Sequence, residues 1–345
     1  MRHLTCTFIF GTLLSASSVI IAQQPPSIVH AQLSTASASN GLEPQLERMK
    51  HTDAPTWVGY SIPVAEDFHS GSQSDHIAYL EGDHAGDSYN TIDKENTPFD
   101  HAVVLLRIAS GHIENIRLEN PDRQLDAGGL HFLWLNGVAP TDSIHTLQTI
   151  ALKDDSNHLR DTAIFAISLH QSPETIPALI SLTSPNNDLA LREKAAFWLT
   201  NRHGHEGFAA IQHLARTDTD PKFREKLCFD LTLSKDSGAL NELIRMAHSD
   251  TSPQVRKQAQ FWMANIGGKK VAGDLRDLAE NDPDNAVRKS AVFALSRLPG
   301  NEAATQLIQV ASSSKEPSIR KQAVFWLGQS NDPRALDYLT KLLAQ

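Results

Sequence analysis

The chain has 345 residues, 40% of them hydrophobic, and a formal net charge of −9, so it can bury more than one core. Gln23 to Pro140 carries 16 Asp and Glu against 6 Lys and Arg, whereas Thr141 to Gln345 carries 24 of each. The acidic first part argues against general nucleic-acid binding, which needs a basic face. Two cysteines, Cys6 and Cys228, cannot form a disulfide framework.

In chain order, residues 1–22 have the pattern of a secretory signal: Arg2 and His3, an apolar run from Leu4 to Ile21, then Ala22-Gln23-Gln24-Pro25. Cleavage fits after Ala22 or after Ala31. An uncleaved anchor is the alternative, since the run is near the length a helix needs to span a bilayer. Export places the body of the protein in the periplasm or outside the cell, with no membrane span once the signal is removed. Cys6 leaves with the signal, and Cys228 is expected as a small packed residue on a helix.

Residues 23–54 are rich in Ser, Ala, Gln and Pro, a composition that predicts a flexible linker. Residues 55–140 then predict an acidic, β-rich domain. Trp57 to Ile62 and Ala102 to Ile108 are strand candidates, Ser110-Gly111 supplies a tight turn, and His112 to Leu118 alternates with period two as a return strand should. A polar, Gly-rich loop fills the space from His69 to His101. Leu125 to Leu130 predicts a turn, and His131 to Leu135 a last strand.

From Thr141 to Gln345 the chain repeats. Arginine recurs every 32 residues at Arg160, Arg192, Arg224, Arg256, Arg288 and Arg320, with an apolar residue before each and phenylalanine five places after each. A fixed period of this size marks stacked supersecondary units. Leu147, Leu179, Ile211, Leu243, Leu275, Leu307 and Leu339 mark seven first helices. Six second helices open near Asn157, Leu189, Pro221, Pro253, Asn285 and Pro317, and proline suits a first helical turn. Six residues before each arginine stands Asp154, Asn186, Asp218, Asp250, Asp282 or Ser314. This pattern predicts a ladder in which each carboxylate bonds an arginine or turn amides of its own or the adjacent unit.

The Asp, Pro, Val-Arg-Lys-x-Ala-x-x-x-Leu pattern, as in Asp250 to Met263 and Asp282 to Leu295, resembles the short HEAT repeats of phycobilisome-lyase-related proteins. The resemblance covers Thr141 to Gln345 and implies a mainly α protein: an α-solenoid of HEAT-like helix pairs, preceded here by the small β-rich domain. That family includes scaffolds and binding proteins beside some chromophore lyases.

A helical wheel puts Leu159, Ala163 and Ile167 on one core stripe. Phe165, Phe197, Phe229, Phe261, Phe293 and Phe325 fall roughly 120 degrees away from it. One step further, tryptophan occupies alternate units at Trp198, Trp262 and Trp326, with Ala166, Asp230 and Ala294 between. Two readings stand for these aromatics. Either stacked second helices need a second apolar column, or the second helices line the concave face and the aromatics form a groove for a protein or extended ligand.

Catalytic signals are sparse. Gly86-Asp87-Ser88-Tyr89 faintly resembles a hydrolase nucleophile block, but no Asp-x-x-His pair follows near the C-terminus. His203-Gly204-His205-Glu206 and the pairs Asp75-His76, Asp83-His84 and Asp100-His101 are candidate cation ligands without typical spacing. There is no HExxH, Walker loop or dinucleotide fingerprint. The sequence therefore points to an exported, non-enzymatic scaffold without cofactor or metal, with a metal-dependent enzyme or cation-binding module in the N-terminal domain as the alternative.

Overall fold

The structure, a computed structural model, describes residues 25–68, 77–82 and 99–344. The expected signal at 1–22, the pairs Asp75-His76 and Asp83-His84, and Gly86 to Tyr89 lie outside the described residues.

The N-terminal region runs β1 (Ile28–Val29), β2 (Gln32–Ser37), α1 (Glu43–Lys50), β3 (Thr56–Phe68), β4 (Ile77–Tyr79), β5 (Phe99–Ala109), β6 (His112–Glu119), β7 (Gln124–Asp126) and β8 (His131–Asn136). One sheet has the order β2-β8-β3-β5-β6 and a smaller parallel sheet the order β1-β7-β4. All four expected strands are present. The β5–β6 hairpin turns at Ser110 and Gly111, with φ of 53° and 82°. Two positive-φ residues between antiparallel strands match the right-handed strand twist. The expected turn from Leu125 to Leu130 begins later, because Gln124 to Asp126 pairs with both β1 and β4.

The predicted linker at 23–54 is overturned for its described part. β2 pairs in parallel with β8 along its whole length, from Gln32↔His131 to Ser37↔Asn136. It is an edge strand with mostly solvent-facing side chains, so backbone hydrogen bonds hold it and no apolar alternation betrays it. Leu42 and Leu46, on and before α1, are fully buried.

The array comprises α2 (Pro140–Lys153), α3 (Asn157–Leu169), α4 (Thr175–Leu182), α5 (Leu189–Arg202), α6 (Gly204–Thr217), α7 (Pro221–Leu233) and α8 (Ala239–Ser249). It continues through α9 (Pro253–Gly267), α10 (Ala272–Asn281), α11 (Asn285–Ser296), α12 (Glu302–Ser313), α13 (Pro317–Gly328) and α14 (Pro333–Leu343). Even-numbered helices are the seven first helices and odd-numbered ones, from α3, the six second helices. Every second helix opens at its predicted residue. The residue before each repeat arginine and the residue three after it are buried in every unit, as are the first-helix residues Leu147 to Leu307 at the 32-residue spacing. Each Leu, Ile, Val or Phe among them contributes about 1.5–3 kcal/mol on burial. Second helices pack closely on one another along the array, whereas neighbouring first helices touch far less.

Arg160, Arg192, Arg224 and Arg256 form the predicted ladder with the adjacent unit as partner, while among the described residues Arg288 and Arg320 bond only groups of their own unit. Arg224 Nε and Nη2 donate to the Asp250 carboxylate at 2.8 Å each, and Arg256 does the same to Asp282 at 2.8 and 2.9 Å. Arg224 Nη1 and Arg256 Nη1 donate to the backbone carbonyls of Asp218 and Asp250, inside their own units. Each guanidinium thus ties its own turn to the next one. Where Asn186 replaces aspartate, Arg160 reaches Asp188 instead.

The β-rich region and the array share one core, so the expected separation at residue 140 is not a break in packing. Val58, Tyr60, Leu106 and Leu133 on one sheet face belong to the same buried cluster as the array helices. The opposite face, with Trp57, Leu105, Phe132 and Trp134, is covered by the small sheet. At the seam, Pro63 O accepts from Gln171 N at 2.9 Å, and the Ser143 hydroxyl bonds both Tyr60 Oη at 3.0 Å and His170 Nε2 at 2.9 Å.

Candidate functional site

The repeat places Phe165, Phe197, Phe229, Phe261, Phe293 and Phe325 at one level of successive second helices, with Trp198, Trp262 and Trp326 beside them. Each tryptophan meets the phenylalanine of the preceding unit and the one next to it in sequence. Trp198 lies 4.6 Å from Phe165 and 4.9 Å from Phe197 between ring centroids; Trp262 lies 5.1 Å from Phe229 and 4.9 Å from Phe261; Trp326 lies 5.1 Å from both Phe293 and Phe325. Each pair contributes about 0.5–1.5 kcal/mol beyond its buried area. At Ala294 no indole intervenes, and Phe261 stacks directly on Phe293 at 6.4 Å. The result is a continuous aromatic stripe from Phe229 to Phe325.

Exposure differs along and across this stripe. Phe165 is 9% exposed and Phe325 54%, and the four phenylalanines between are half-buried. The tryptophans are half-buried against the core, and their indole nitrogens are shielded without a hydrogen-bond partner. The indoles are therefore wedges between units, and the phenylalanine rings form the outer edge.

Asp230 interrupts the aromatic series at the tryptophan position of its unit. It is fully buried, accepts from Lys226 Nζ at 2.7 Å, and leaves Oδ2 without a partner. Burial pushes its carboxyl up to about 6. Lys226 Nζ also sits 4.7 Å from the centre of the Phe229 ring, a cation–π contact.

The other sequence candidates do not converge. His205 Nδ1 pairs with Asp236 at 2.6 Å across units, while burial lowers His203 to about 4. His101 pairs with Asp100 on the surface. Among the described residues, no group of three or more His, Cys, Asp or Glu is placed to hold a metal ion. Cys228 is buried, which pushes its thiol pKa up and removes the thiolate that nucleophilic chemistry needs.

Sequence reasoning missed the Ser143–His170 pair, because its residues are 27 apart and share no motif. Its 2.9 Å contact has the spacing of a nucleophile and base. Both residues are nonetheless buried at the seam, and His170 Nδ1 is bound to Ala166 O at 2.8 Å. No substrate reaches this hydroxyl in the folded protein, so the pair is structural. On the outer side, shallow clefts of about 350 and 620 Å³ lie between α2 and α4 and between α10 and α12, without a set of convergent catalytic groups.

The sequence profile of HEAT repeats matches residues 208–296 and 273–345. Residues 208–345 are HEAT repeats. The helix pairs from Pro140 onward continue the same 32-residue unit, so the HEAT-like array begins before the matched segment. Its fold is similar to that of human deoxyhypusine hydroxylase, at 18% identity over 60% of this chain and 80% of that one, with a TM-score of 0.32. The complex of CpcE and CpcF of phycocyanin lyase from Nostoc matches at 18% identity over 55% and 76% of the two chains, with a TM-score of 0.30. Importin beta matches at 16% over 56% and 27%, with a TM-score of 0.26. No curated protein sequence matches the chain. Among the described residues, no helix is long and apolar enough to cross a membrane.

Proposed function

We propose that this protein is an exported, non-enzymatic scaffold whose HEAT array binds a polypeptide or other extended partner along the second-helix face. The carrying observation is the partly exposed phenylalanine edge from Phe229 to Phe325. Each unit already buries complete apolar columns on both its helices, so packing alone leaves no need for large rings at the margin. Aromatic rings held rigid by their neighbours bind with little loss of side-chain freedom. The closer packing of second helices supports a concave location, since an array bends toward the layer whose elements approach more closely. The leader-like pattern of residues 1–22 supports a place in the periplasm or outside the cell.

The test is selection of binding peptides from a displayed random library on the whole protein, with counter-screening on a Phe261→Ser, Phe293→Ser, Phe325→Ser variant. Clones that bind the parent and lose the variant, with circular dichroism unchanged, are expected. Clones that bind both equally, or no clones at all, refute the stripe as a binding surface.

A further inference from the structure

Four residues before each stripe phenylalanine, on the same helical face, stands Asp161, Glu193, Glu225, Lys257, Lys289 or Lys321. The sign reverses once, midway. In the first half the acids have lysines nearby: Lys194 pairs with Asp161 at 2.7 Å, and Lys226 stands in the next unit from Glu193. In the second half Lys257, Lys289 and Lys321 make no ion pair among the described residues, and Lys289 and Lys321 are exposed. They recur one per unit beside the end of the stripe from Phe261 to Phe325, where Phe325 is 54% exposed. Packed helices sit about 8–10 Å apart, so three unpaired ammonium groups form a row at roughly that interval alongside the rings.

We infer that the half of the second-helix face from Lys257 to Lys321 binds an extended acidic peptide whose carboxylates fall at every third residue with apolar residues between them. A polyproline II strand advances about 3.1 Å per residue with three residues per turn, so about 9 Å separates successive residues on one side. That matches the helix spacing. Its acidic side would meet the lysines and its apolar side the phenylalanine edge. Glu225 and Glu193 beyond the sign change repel further carboxylates, which fixes register and keeps the acidic segment on the C-terminal half. The inference rests on the stripe being a binding surface and adds the charge and period of what it holds.

The probes are labelled peptides of four Glu-Leu-Pro, Gln-Leu-Pro or Lys-Leu-Pro repeats, titrated into the full chain by fluorescence anisotropy. The glutamate peptide is expected to bind at least about tenfold more tightly than the glutamine one at low salt, with the advantage shrinking as salt rises. The Lys257→Glu, Lys289→Glu, Lys321→Glu variant, which changes two exposed side chains and the half-buried Lys257 and is checked by circular dichroism, should reverse the preference toward the lysine peptide. Equal binding of the glutamate and glutamine peptides, or an unchanged preference in the variant, overturns the inference yet leaves the stripe standing, as do stripe-dependent clones from the displayed library that carry no acidic pattern. Absence of binding by all three peptides also overturns it. Tighter binding of a heparin hexasaccharide or an oligothymidylate than of the glutamate peptide assigns the lysine row to a general polyanion and overturns the peptide.

Discussion

Replacing Asp250 by alanine removes the carboxylate that carries one rung of the ladder. Its Oδ1 accepts from Arg224 Nη2 and from the Ser252 amide, and its Oδ2 from Arg224 Nε, all at 2.8 Å. Loss of the turn hydrogen bond alone is worth about 0.5–2 kcal/mol, as for a helix cap. Arg224, however, is only 7% exposed, and a buried charge stripped of its partner costs about 3–5 kcal/mol. The larger figure should govern. Asp154→Ala provides the internal control, because Asp154 bonds the Ser156 amide at 2.7 Å and makes no ion pair among the described residues; its loss should stay near 1 kcal/mol. Urea titration by circular dichroism gives the size of each effect. Amide exchange across α7 to α9 shows where it acts, since a solenoid can open in segments. Adding Arg224→Met to Asp250→Ala should restore much of the loss, as no buried charge then remains. A cost below about 1 kcal/mol for Asp250→Ala, or strict additivity in the double variant, would refute the ladder as an energetic link between units.

Ser314 stands where four of the other five turns have aspartate, and neither its hydroxyl nor Arg288 Nε has a partner; Ser314→Asp should therefore stabilise the array by about 1–2 kcal/mol, and an unchanged or lower melting temperature would contradict this. Burial lowers His170 from 6.5 to about 4, so the unfolded chain takes up a proton first as pH falls. Stability is then unaffected by this group above about 6.5 and declines by about 3 kcal/mol as pH drops toward 4; a flat urea midpoint across that window in an Asp230→Ala background, which removes an opposing titration, would exclude a neutral buried imidazole. Asp230 titrates in the opposite sense, because its raised carboxyl makes the native state less stable as pH rises from 3.8 to about 6. Asp230→Ala, matching Ala166 and Ala294, should raise the melting temperature at neutral pH and lose that advantage below about pH 4. Deleting Phe223 to Gln254 removes Arg224 and Asp250 together and lets Trp262 meet Phe197, so a shorter folded array is expected by circular dichroism; a 16-residue deletion should not fold, and equal aggregation of both would show the register to be wrong.

The charge row of Lys257, Lys289 and Lys321 was legible in the 32-residue register, one column from the phenylalanines, but acquires meaning only when the lysines are seen to lack acidic partners. The Ser143–His170–Tyr60 network was not legible, because it is assembled from three separate segments across the seam.

The sequence by itself determined the repeat, the opening residue of every second helix, the buried columns and the existence of the ladder. These follow from local rules, a 3.6-residue helical period and identical neighbours that force identical contacts. Tertiary structure alone decided what depends on distant partners. β2 is a strand because β8 offers its backbone edge, in spite of a linker-like composition. The Asp250 carboxylate serves Arg224, leaving only its backbone carbonyl to its own unit's Arg256, because stacking brings the next turn within reach. The aromatic columns divide into wedged indoles and a half-buried phenylalanine edge that opens at Phe325, because burial is set by what the adjacent unit covers, a property that no single helix possesses.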